Sequence, residues 1–108
     1  MSDMTEAELM TAVVDLARML GYRTMHVRRS IGKGRRWQTT TSVVGWPDLV
    51  LWTPGRFIAA ELKSATGALA AEQVDVLASL HDAGVETYVW RPDDLQTIAT
   101  ILRRKAAA

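Results

Sequence analysis

An α/β protein, a mixed β-sheet flanked by helices in the order α-β-β-β-α-β-α, is what this sequence predicts. Three observations carry the reading. Residues 5–20, 71–83 and the segment after Pro92 repeat apolar side chains with helical spacing. Shorter alternating or apolar runs at 22–28, 48–52, 57–63 and 86–90 lie between them and read as strands. Thr53-Pro54-Gly55-Arg56 separates the two most apolar runs with a turn, since proline presets φ and glycine accepts positive φ.

A chain of 108 residues that is 48% hydrophobic makes one domain, 1–108, with a real core. It has no cysteine, which excludes disulfides, thiolate zinc sites and cysteine nucleophiles and makes an intracellular, cytoplasmic location the expectation. No apolar stretch approaches the roughly 20 residues of a membrane span, and the polar, acidic start is unlike a secretion signal. The net charge of +1 conceals an asymmetry. Arg18, Arg23, Arg28, Arg29, Lys33, Arg35 and Arg36 fall within 16–47 with no acid among them, so the remaining residues sum to −6. Such a distribution points to one local phosphate-binding surface.

Taken in order, the first helix sets Leu9, Met10, Val13, Leu16, Ala17 and Leu20 on one stripe, and Glu6 falls in the same sector. In the first turn a glutamate also complements the helix dipole. The strand after Gly21 places Tyr22, Thr24, His26 and Arg28 on one face. Residues 29–42 are basic, glycine-rich and hydroxyl-rich, and predict a flexible loop. Arg28, Arg29, Lys33, Arg35 and Arg36 would grip a DNA backbone there, and Trp37 would stack on an unpaired base. A solvated loop is the plainer alternative.

With Pro54 and Gly55 as the two loop residues, Trp52 faces Phe57, Val50 faces Ala59 and Asp48 faces Glu61. Side-chain alternation then puts Asp48, Glu61 and Lys63 on one sheet face, Lys63 about 6.6 Å along the strand from Glu61. Two carboxylates directly opposed destabilise a sheet unless something offsets them. A divalent cation would do so, because Mg²⁺ takes one or two carboxylates and keeps positions for water and phosphate oxygens. An ion pair with Lys63 is the alternative, but it leaves the second carboxylate unmatched. Trp46, Trp52 and Trp90 read as core or interface residues rather than base-stacking groups. In the second helix Leu69 and Val74 are spaced as a hydrophobic staple around Ala70. Gln73 there reads as half of a capping box. Gly84 ends that helix, and Pro92-Asp93-Asp94 opens the last one, with Leu95, Ile98, Ile101 and Leu102 as its apolar stripe.

Gly45-Trp46-Pro47-Asp48 followed by Glu61-Leu62-Lys63 resembles the PD-(D/E)xK motif of restriction-endonuclease-like nucleases. More narrowly, the chain resembles the VRR-NUC family found in phages and bacteria. Thr5-Glu6, Gly21, His26, Glu72-Gln73, Ala83-Gly84 and Trp90-Arg91-Pro92 extend the likeness over most of its length. Ala70 departs from it, since the family offers Ser or Thr at that cap. The resemblance implies a restriction-endonuclease-like core and a Mg²⁺- or Mn²⁺-dependent endodeoxyribonuclease. Asp48, Glu61 and the Leu62 carbonyl would hold the metal, Lys63 would act on the water or phosphate, and Glu6 would complete the acidic cluster. Gln73 would hold Lys63 or a phosphate oxygen, and His26 would lie beside the pocket against substrate. It implies further a homodimer acting on branched DNA such as Holliday junctions.

Overall fold

A computed structural model describes residues 3–27 and 43–104, with the backbone alone of 30–31 and 37–38. The first helix, α1, spans Glu6–Met19 and is opened by Thr5. The Thr5 hydroxyl accepts from Glu8 N–H at 3.1 Å while the Thr5 N–H donates to Glu8 Oε1 at 3.0 Å, a reciprocal capping box. Hydrogen bonding to Thr5, to its backbone N–H first and to its side chain second, holds the Glu8 carboxyl below its ordinary range. Leu9, Val13, Val14 and Ala17 form the buried stripe, with Met10 and Leu16 packed at its edge.

Strands β1 (Arg23–His26), β4 (Leu49–Thr53), β5 (Arg56–Leu62) and β6 (Glu86–Trp90) form one sheet in the order β1-β4-β5-β6. The first two pairings are antiparallel and the last is parallel, so the sheet is mixed. Helix α2 (Ala71–Asp82) makes the crossover between β5 and β6, as a parallel pairing requires. Pro54 and Gly55 (φ 82°) form the β4–β5 turn, and the register pairs Trp52 with Phe57 and Val50 with Ala59, as the hairpin reading expects. Pro92–Asp94 makes one 3-10 turn before α3 (Leu95–Arg103).

The segment 29–42 departs from the loop expectation in its backbone. Residues Ser30–Ile31 (β2) and Trp37–Gln38 (β3) pair antiparallel, with Ile31 opposite Trp37. The side chains of Arg28, Arg29, Lys33, Arg35, Arg36 and Trp37, expected to grip DNA, lie outside the described residues.

One face of the sheet carries the core. Leu49, Leu51, Ile58, Ala60, Leu62 and Trp90 point toward Leu9, Val13 and Ala17 of α1 and Ile98 and Leu102 of α3. Each Leu, Ile or Val among them contributes about 1.5–3 kcal/mol through burial. At the rim of this layer Arg56 forms a bidentate pair with Glu86, Nε to Oε1 at 2.9 Å and Nη2 to Oε2 at 2.7 Å. Its Nη1 also donates to the Tyr22 hydroxyl and to the Ile101 and Arg104 carbonyls, tying the sheet to the end of α3. Tyr88 O–H donates to the same Glu86 carboxylate. The Arg56 guanidinium is the main reason that the Glu86 carboxyl sits below its ordinary range. Burial, reinforced by the Glu86 charge, pushes the Tyr88 phenol up. Helix α2 lies on the opposite face, against β6. Among the described residues no helix is long and apolar enough to cross a membrane.

Candidate functional site

The hairpin brings Asp48 and Glu61 to the same end of the sheet. The ladder runs to Leu49 opposite Ala60, and Asp48 follows at once on one strand as Glu61 does on the other. Asp48 Oδ2 accepts from Leu62 N–H at 3.0 Å, which holds the carboxylate against β5 beside Glu61. Pro47, buried just before it, carries no N–H to compete at that point. Glu61 is 1% exposed, an extreme value for a carboxylate, and its Oε1 accepts from Gln73 Nε2 at 3.2 Å. A buried carboxylate is costly unless it is hydrogen-bonded or matched by charge, so the amide contact is a structural requirement as well as an orienting one.

Gln73 forms the half capping box that the sequence suggests, and its amide reaches a carboxylate. Its Oε1 accepts from Ala70 N–H at 2.8 Å, completing one half of a capping box. Its Nε2 reaches Glu61, whereas the resemblance implies Lys63 or a phosphate oxygen. The other half of the box is missing because Ala70 offers no side-chain acceptor, although its backbone (φ −73°, ψ 155°) suits a cap. Gly45 sets the height at which α2 begins. Its φ is +91°, and a Cβ there would lie 2.5 Å from both the carbonyl carbon and the oxygen of Glu72. Only glycine allows the loop before Asp48 to pass so close to the residue preceding Gln73.

Lys63 continues the β5 strand, its N–H donating to Trp90 O at 3.0 Å, so it projects to the Glu61 side of the sheet by alternation. Its stem passes Gly67, where a Cβ would sit 3.6 Å from Lys63 Cδ. Arg91 shapes this turn, a role the sequence did not disclose. Its Nη1 donates to the carbonyls of Ser64 at 2.8 Å and Gly67 at 2.7 Å. The one signal was its place after a strand parallel to β5, which lays Arg91 beside the chain leaving Lys63.

His26 is exposed at the end of β1, paired with Leu49, and the next residue, Val27, donates its N–H to Asp48 O at 3.1 Å. Opposite Leu49, His26 belongs to the sheet face that carries the core, and alternation puts Asp48 and Glu61 on the other face, so the register does not turn His26 toward the two carboxylates. Glu6 is a correction to the stripe reading. It is exposed in the first turn of α1, where a carboxylate complements the helix dipole and avoids the cost of burial. Among the described residues no group of three His, Cys, Asp or Glu is gathered as a metal cluster. The pair Asp48 and Glu61 still suits a hard cation, because Mg²⁺ is commonly bound through one or two carboxylates with water completing its shell. No family model, curated protein or solved structure matches the chain, and its functional reading therefore rests on these residues and their geometry.

Proposed function

We propose that the chain is a metal-dependent DNA endonuclease of the VRR-NUC type, with a restriction-endonuclease-like core, hydrolysing phosphodiester bonds in branched DNA as a homodimer. The observation that carries this reading is the placing of Asp48 and Glu61 at one end of the hairpin, held by Leu62 N–H and the Gln73 amide, with Lys63 next on that side. Asp48, Glu61 and the Leu62 carbonyl would hold a Mg²⁺ or Mn²⁺ ion, which would supply Lewis-acid polarisation of the phosphate and a lowered pKa for water. The chain's own groups do the rest. Leu62 N–H fixes the direction of one carboxylate, and Gln73 fixes the other. The Lys63 ammonium orients the attacking water or donates to a non-bridging phosphate oxygen as negative charge develops. The basic run Arg28–Arg36 supplies sequence-independent backbone contacts.

A catalytically silent nucleic-acid-binding module of the same fold is the second reading. It is favoured by the exposed position of Glu6 and by the absence of a three-ligand cluster among the described residues. Cleavage of linear duplex, single-stranded, flap and four-way-junction DNA in Mg²⁺ and Mn²⁺ separates the two. The endonuclease reading expects nicking of a branched substrate that Asp48→Ala, Glu61→Gln and Lys63→Ala each remove. Cleavage that survives all three substitutions, or binding with no cleavage under any metal, overturns it.

A further inference from the structure

The sheet face opposite α1 and α3 is covered unevenly. Helix α2 lies along β6, and Gln73 covers Glu61. From β1 across to the start of β5 the face is partly uncovered: Val50 and Ala59 lie buried beneath, and the residues around them reach solvent. Met25 is 52% and Phe57 44% exposed, and Trp46 and Trp52 are half-buried beside them. Directly opposed residues share a face, so the register lines up Arg23, Trp52 and Phe57 in one row and Met25, Val50 and Ala59 in the next. The Trp52 and Phe57 rings are 6.3 Å apart and within 20° of parallel. With Trp46, Met25 and Val50 they line a groove of about 650 Å³.

An exposed apolar patch of this kind marks a contact surface, and three features select its occupant. Two nearly parallel rings offer flat faces, on which bases of any sequence can stack. Arg23, exposed and without an ion pair among the described residues, stands in the same row as the rings, and neither row contains an acid. That suits a guest whose flat groups are joined by phosphates. Third, the surface is continuous with the candidate centre. Asp48 lies four residues from Trp52 on the same strand face, about 13 Å at strand rise.

We propose that this face stacks the unpaired bases of a single-stranded nucleic-acid segment whose backbone runs on to Asp48 and Glu61. The inference rests on the nucleic-acid reading above and names the part of the substrate that the sheet holds: nucleotides outside the duplex. It reverses the sequence reading of Trp46 and Trp52 as core or interface residues. Periodicity marks which residues share a face, but not that α2 leaves Met25, Trp52 and Phe57 on that face within reach of solvent.

The test uses the full chain in EDTA, so that binding is read without turnover. A dT oligomer of about 12 nucleotides and a blunt duplex of equal length are titrated against wild type, Trp52→Ala, Phe57→Ala and Phe57→Ser. Loss of stacking is expected to weaken dT binding by roughly 5- to 150-fold in the variants and to affect the duplex much less. Photo-crosslinking of wild type to an iodouridine oligomer is expected to label Trp46, Trp52 or Phe57, and it does not depend on a variant folding. Unchanged dT affinity in all three variants overturns the proposal. So does labelling confined to other segments, or a wild-type dimer in sedimentation that Phe57→Ser dissolves, which would make the occupant a second copy. Cleavage by wild type in Mg²⁺ judges the nuclease reading separately. Stacking without cleavage removes that reading alone, and cleavage without stacking removes this one alone.

Discussion

At its first residue β5 meets charge with charge. Arg56 grips Glu86 through two hydrogen bonds, takes the Tyr22 hydroxyl and closes two carbonyls at the end of α3. At its last residues the same strand holds two carboxylates side by side, oriented by a backbone N–H and a side-chain amide. Neutral donors direct a carboxylate without cancelling its charge, whereas a guanidinium does both. The first end is therefore an ion-paired clasp, and the second, on the proposed reading, presents carboxylate oxygens in fixed directions. The energetic consequences differ in kind, and variants at the two ends should separate them.

The largest expected effect lies at the carboxylate end and on activity. Asp48→Asn keeps an acceptor for Leu62 N–H but removes a charge. Metal-dependent cleavage should fall by on the order of a thousandfold, while the Tm in EDTA stays level or rises slightly because a like-charge pair has been relieved. A large drop in Tm with this variant would show that the second end, too, acts as a clasp, and would erase the contrast.

At the Arg56 end the order reverses. Arg56→Met should cost about 3 kcal/mol, since it leaves Glu86 without its cation, with only the Tyr88 O–H, and takes the donor from the Ile101 and Arg104 carbonyls, with melting some 10 °C or more lower. The pH dependence follows from the Glu86 shift. Its folded pKa lies below the ordinary 4.5 because of Arg56, so its stabilisation is complete above that value and is lost as pH falls through the lowered one. Thermal melts between neutral and acid pH should show a shallower acid decline in Arg56→Met than in wild type. An unchanged slope would remove Glu86 as a source of acid sensitivity.

Gly45→Ala tests how α2 is seated over the carboxylates. A Cβ at 2.5 Å from Glu72 and a φ of +91° together should cost about 2 kcal/mol or more, and activity should fall with it through displacement of Gln73. If Glu61 holds a metal as proposed, Gln73→Ala itself should lower cleavage by roughly 10- to 100-fold, the usual effect of losing a group that orients a metal ligand. The smallest effect is a gain. Ala70→Ser supplies the missing half of the cap and should stabilise by about 1 kcal/mol with activity unchanged; a thermal melt beside a cleavage assay reads both.

Much of this molecule follows from short-range rules. Helical spacing located α1, α2 and α3, and the Pro54-Gly55 turn with period-two alternation located the hairpin and its register. From that register the neighbouring placement of Asp48 and Glu61 followed, because fourteen or fewer residues of chain and one tight turn leave little freedom. Glu6 shows the limit of the same logic. A stripe names the side of a helix that faces the core, but a first-turn carboxylate on that stripe can still sit exposed.

Contacts between residues distant in sequence could not be read this way. The Arg91 hold on the Ser64 and Gly67 carbonyls, the approach of Gly45 to Glu72, and the Arg56 network join elements whose relative position is set by packing. The Gln73 amide likewise meets Glu61, a partner that the sequence does not single out, since one strand residue in either direction changes which group an amide reaches. Local periodicity and turn chemistry thus specify strands, helices and the acid pair of a hairpin, because those depend on backbone geometry within a few residues. Which faces α1, α2 and α3 cover, and hence which aromatic rings stay open and which carboxylate is enclosed, depends on how the layers bury apolar area against one another, a property of the assembled chain.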